Sequence, residues 1–129
     1  MYVEERVPDM MKAVAYFQKR NECYRVAEIE MTAELAACVD VALEHVYASL
    51  QNIQGSWSFG PNFEGTDLEG QRNLDYRENV TFVGKRPVHP ETGKPMGARS
   101  MMIGDLITLG GKVYEVADYG FKEYVEEAA

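Results

Sequence analysis

Apolar and polar positions alternate most regularly in DLITLGGKVYEVADYG, where residues 106–109 and 113–116 are β-rich runs separated by Gly110, Gly111 and Lys112. Paired glycines supply the positive φ angles of a tight turn, so the pattern predicts an antiparallel hairpin. Gly104-Asp105 forms a sharp turn just before it, and Asp105 accepts backbone hydrogen bonds there, as turn aspartates commonly do. Residues 23–31, CYRVAEIEM, follow an imperfect period of two and predict a strand with one end toward water. VTFVGKRPV predicts another strand up to Pro87, and HPETGKPMGA beyond it is turn chemistry.

Two stretches carry a helical period. VPDMMKAVAYFQKRN sets Pro8 at a first turn, Met10, Val14 and Phe17 on one stripe, and Lys19 and Arg20 at the end, which predicts a short amphipathic helix. In residues 33–52 Leu35, Val39, Ala42, Leu43, Val46 and Leu50 recur at helical spacing behind a capping Thr32, predicting the main helix over 33–50. Its outer face carries Glu34, Asp40, Glu44 and His45, and Cys38 fits among the alanines as a small apolar filler. From Ser56 to Asn79 periodicity stops. That stretch is either a surface insertion or a functional loop anchored by Trp57, Phe59, Phe63 and Tyr76.

These elements predict an α+β fold in one domain over 1–129. It has a mostly antiparallel sheet of four or five strands, the main helix on one face and the short N-terminal helix beside it. A chain of 129 residues is long enough to bury one core.

Acidic residues outnumber basic ones, 21 to 13, and the formal charge is −8. A phosphate backbone is repelled by such a chain unless its basic residues cluster, and along the sequence they do not, so no direct nucleic-acid partner is expected. No apolar run approaches the roughly 18 residues of a membrane span. The N-terminal MYVEERVPDMM lacks the apolar core of a signal peptide. Cys23 and Cys38 show no CxxC pairing, so a cytoplasmic location with free thiols is expected, and the NVT at Asn79 is a chance sequon.

An enzyme would need a nucleophile with a base, paired carboxylates or a metal cluster; none is declared, and no catalytic residue is assigned. His45 and His89, with Cys23 and Cys38, lack zinc spacing, so no metal is assigned. Gly110-Gly111 joins two strands instead of opening a helix, so it is no phosphate loop, and no cofactor is implied. Arg99 beside the Ser100 hydroxyl either grips a carboxylate or phosphate with both prongs or braces the turn by hydrogen-bonding carbonyls. Gln51, Asn52 and Trp57 lie where the main helix meets the long loop. If the loop folds back over the hairpin, all five of these residues share one concave binding face; otherwise Asn52 caps the helix and Trp57 is core.

RSMMIGDLI, a glycine turn and YEVADYGFKEY together resemble a signature of small proteins of bacteriophages and conjugative elements, RS-x-S-x-GD-hydrophobic … G-x-x-Y-x-V … GF. The stretch is similar to the YodL-like domains found there. Arg99, Ser100, Gly104, Asp105, Gly111, Tyr114, Gly120 and Phe121 carry the likeness, and VYASLQNIQGSW resembles the upstream helix-end segment TQNI…SW of such proteins. Met102 stands where the signature usually has serine or threonine. The resemblance implies a setting, a phage or mobile element acting inside a bacterial host cell. The preferred function is a non-enzymatic binding protein acting on a host protein or a small ligand, with its oligomeric state open. The alternative is an acidic inhibitor that imitates nucleic-acid charge to block a host nuclease or defence complex.

Overall fold

A computed structural model of the chain describes residues 11–19 and 22–124. Its elements are β1 (Lys12–Lys19), β2 (Glu22–Glu30), α1 (Ala33–Ala36), α2 (Val39–Ser49), β3 (Val80–Phe82), β4 (Leu106–Leu109), β5 (Lys112–Val116) and β6 (Phe121–Glu123). The strands make one six-stranded sheet in the order β3-β2-β1-β4-β5-β6, antiparallel at every pairing. The fold is α+β, with six strands where four or five were expected.

The segment expected as a short N-terminal helix forms the strand β1 over Lys12–Lys19 instead; residues 7–10, 20 and 21 of it lie outside the described residues. β1 is a central strand, paired with β2 on one side and β4 on the other, and Ala13 to Phe17 are all buried. A strand covered on both faces loses its visible alternation and reads as a continuous apolar run. The alternation survives in three dimensions: Ala13, Ala15 and Phe17 join the core on the α2 side, while Val14 and Tyr16 join a second cluster with Leu106 and Val113. The Val14–Phe17 spacing that suggested a helical stripe therefore spans opposite faces of a strand.

The main helix divides in two. Thr32 caps α1 as expected, its Oγ1 accepting Leu35 N at 3.3 Å, but α1 buries none of its residues. The chain then breaks at Cys38, an extended N-cap residue that is exposed, against the expectation of a buried filler. α2 presents Ala42, Leu43 and Val46, with Leu50 just beyond it, to the cluster holding Phe17, Ile29, Ile107 and Leu109. Glu34, Asp40 and Glu44 face outward as expected, whereas His45 is half-buried.

The hairpin forms as the sequence predicts. Leu109 pairs with Lys112 across a two-residue turn in which Gly110 and Gly111 have φ of 58° and 80°. Two positive φ angles in succession match the twist of the flanking strands, and glycine adopts them without steric cost.

A β-bulge shapes the other end of the sheet. Ala15 opposes Ala27 but Tyr16 opposes Arg25, so Val26 is an extra residue on β2. Val26 and Ala27 both enter the core on the α2 side, and the Val26 carbonyl accepts Val83 N at 2.8 Å. Beyond β3 the chain turns over this bulge at Gly84, with φ of 91°, where a Cβ would lie 2.8 Å from the Arg25 carbonyl oxygen. Only glycine permits so close a passage. Among the described residues no helix is long and apolar enough to cross a membrane.

Candidate functional site

The five residues singled out from the sequence meet in the structure, as a hydrogen-bonded knot. Gln51 Nε2 donates to the carbonyls of Tyr47 and Met101, both at 3.0 Å. Asn52 Nδ2 donates to Ala98 O at 2.9 Å, its Oδ1 accepts Trp57 N at 3.0 Å, and its backbone N–H donates to Ser100 Oγ at 2.8 Å. Trp57 is buried, stacks edge-on against Phe17 with ring centroids 6.0 Å apart, and donates its indole N–H to Arg99 O at 2.8 Å. Their polar atoms thus join the end of α2 to residues 98–101.

Arg99 is the centre of the knot. Its Nη1 and Nη2 chelate Asp105 at 2.7 and 2.8 Å, and they also donate to Ser100 O at 2.9 Å and Gln18 O at 3.0 Å. The guanidinium lies over the Phe17 ring, 4.2 Å from its centroid. Asp105 is 1 % exposed and also accepts Gln18 N at 3.0 Å and Met102 N at 2.8 Å. A buried carboxylate surrounded by four donors is a satisfied turn anchor, the role expected for Asp105. Its hydrogen bonds raise the Arg99 pKa above the ordinary arginine value, against the opposing effect of burial.

Arg99 is also one wall of a cavity of about 550 Å³, and the only one of the five sequence-assigned residues to line it. Among the described residues four other basic side chains line the same space: Lys19 at the end of β1, Arg25 on the bulged β2, and Lys85 and Arg86 just past Gly84. No acidic side chain of the described residues lines it. In a chain where acids outnumber bases 21 to 13, five basic side chains around one cavity correct the expectation that the basic residues stay dispersed. Val26, Phe82, Val83, Pro87, Val88 and Ala98 provide apolar surface, and Tyr24, 42 % exposed, stands among them.

The five cations are not equivalent. Asp105 compensates Arg99, and Glu28 pairs with Arg25 at 3.1 Å and with Lys12. The Lys12 hydrogen bond is the main reason the Glu28 pKa lies below the usual carboxylate value. No carboxylate of the described residues pairs with Lys19, Lys85 or Arg86. Arg86 lies between the Phe59 and Phe82 rings, 4.3 Å from each centroid, and donates Nη2 to Ser58 O at 2.6 Å. Burial lowers its pKa from the ordinary value. The clamp fastens the long loop to the cavity wall, and Ser58 Oγ adds a bond from Ala98 N at 2.8 Å.

The loop from 50 to 79 is held by its own hydrogen bonds. The buried Asn73 amide donates to the carbonyls of Ser56, Phe59 and Gly60 at 2.7, 3.2 and 3.0 Å and accepts Ser56 N at 2.9 Å. Asp75 Oδ2 accepts the N–H groups of Ile53 and Gln54. Of the expected aromatic anchors Trp57 and Phe63 are buried, Phe59 is half-buried against Arg86, and Tyr76 is exposed.

Sequence reasoning missed Lys19, Arg25, Lys85, Arg86, Tyr24 and Phe82. The available signal was the pair of dibasic steps, QKRN and GKRP, each at the end of an apolar run in an acidic chain. No protein-family model, curated protein or solved structure matches the chain.

Proposed function

We propose that this protein is a non-enzymatic binding module that takes a small ligand into the cavity bounded by β1, the β2 bulge, residues 83–88 and residues 97–99. The setting is the one its C-terminal likeness implies, a phage or mobile element at work inside a bacterial cell.

The cavity itself carries the reading. At about 550 Å³ it falls within the range of small-molecule sites, roughly 300 to 1,000 Å³, and its wall mixes apolar surface with a few convergent polar groups in the way such sites do. Two sides of its wall are braced by contacts within the protein. The Arg99–Asp105 chelate holds one side and the Arg86 clamp another, so little ordering entropy is lost on binding.

Thermal melts against a panel of bacterial metabolites, read at low and high salt, test the proposal. Binding in the cavity raises the melting temperature with ligand concentration. A panel that leaves the melting temperature unchanged, alongside a basic protein partner whose affinity falls steeply with salt, would favour the nucleic-acid-mimicking inhibitor instead.

A further inference from the structure

We infer, resting on the cavity as the ligand site, that the ligand is a nucleoside monophosphate, a small dianion built on a flat ring. Two independent features of the wall define that chemistry.

The first is charge. Lys19, Lys85 and Arg86 bring positive charge to the cavity with no carboxylate of the described residues to neutralise it. Holding cations together in a protein of net charge −8 costs mutual repulsion, and an anionic ligand relieves it. A phosphate monoester carries about −1.5 to −2 charges at neutral pH, a match to two or three such cations. Lysine ammonium groups suit it as point charges, because Arg99 and Arg86 already commit prongs to Asp105 and Ser58.

The second is aromatic surface. Tyr24 lines the cavity with much of its side chain exposed, and Pro87 and Val88 add apolar area nearby. A purine or pyrimidine ring has a π-face for such a platform, whereas inorganic phosphate leaves it bare. The acidic remainder of the chain disfavours a longer polyanion, so the free mononucleotide fits better than a nucleic-acid strand.

Calorimetric titration with AMP, GMP, CMP and UMP tests the inference, alongside adenosine, inorganic phosphate and a short single-stranded oligonucleotide. At least one monophosphate should bind, more weakly as salt rises and more tightly than adenosine, phosphate or the oligonucleotide. Lys85→Glu and Lys19→Glu should each weaken it by roughly tenfold or more, in variants that still melt cooperatively. Lys112→Glu makes the same change in net charge at the β4–β5 turn, outside the cavity lining, and should leave affinity unchanged. Equal binding of adenosine and AMP, tighter binding of the oligonucleotide, or equal effects of the Lys85 and Lys112 reversals would each overturn the nucleotide assignment. If no monophosphate binds but another metabolite of the panel does, the assignment fails and the cavity stands as a ligand site; if nothing binds, both fail.

Discussion

Arg99 divides one guanidinium between a buried carboxylate, two backbone carbonyls and the face of a phenylalanine, and the rest of the knot is arranged around it. Arg99→Ala would strand Asp105, 1 % exposed, with only backbone donors. Because Arg99 is itself 35 % exposed, the loss belongs at the low end for a broken buried pair, about 2 to 4 kcal/mol in a denaturant melt. Arg99→Lys should recover only part of this, since it keeps the charge and loses the planar fork. His45 offers a pH test. Asn79 Nδ2 donates to Glu30 O, and the same amide nitrogen lies 3.1 Å from His45 Nε2, a distance suited to a neutral ring accepting the second N–H. Burial, and then the charge of Arg77, lower the His45 pKa from 6.5. The unfolded chain therefore takes up the proton first: the contribution is complete above 6.5 and is lost as pH falls toward the lowered value. Melts from about pH 7.5 to about pH 5 should show a drop in stability that His45→Gln removes; equal profiles would contradict it.

The same logic acts on whole elements. Leu43 and Val46 form the buried stripe of α2, so truncation to alanine should cost about 2 to 4 kcal/mol at Leu43 and about 1 to 3 at Val46 in denaturant melts. The β4–β5 hairpin was legible because local chemistry decides it: two glycines in a two-residue turn and strands that alternate. β2 and the capping of α1 by Thr32 were legible for similar reasons. β1 was not. Its apolar run acquires meaning only from neighbours on both sides, one of them β4, which lies nearly ninety residues later in the chain. The break at Cys38 was also hidden, since the alanines around it favour an unbroken helix.

At the scale of the whole molecule, the grouping of Gln51, Asn52, Trp57, Arg99 and Ser100 was readable, because a helix end and a turn-forming motif both needed partners. The cavity next to them was not. Lys19, Arg25, Lys85 and Arg86 sit on three segments that the β1–β2 and β2–β3 pairings, the β2 bulge and the turn at Gly84 bring together. The long loop supports this geometry from behind through Asn73 and the Arg86 clamp. Asn73→Asp, which removes the amide donors to three carbonyls, should cost about 1 to 3 kcal/mol in denaturant melts. The most direct test of the account is to titrate isotopically labelled protein with AMP, GMP, CMP and UMP in turn and map the amide shifts by NMR. The account expects saturable changes at residues 18–19, 24–26, 82–88 and 97–99, with the β4–β5 turn at Gly110-Gly111 unmoved. Changes centred elsewhere, or none with any of the four at millimolar ligand, would contradict it.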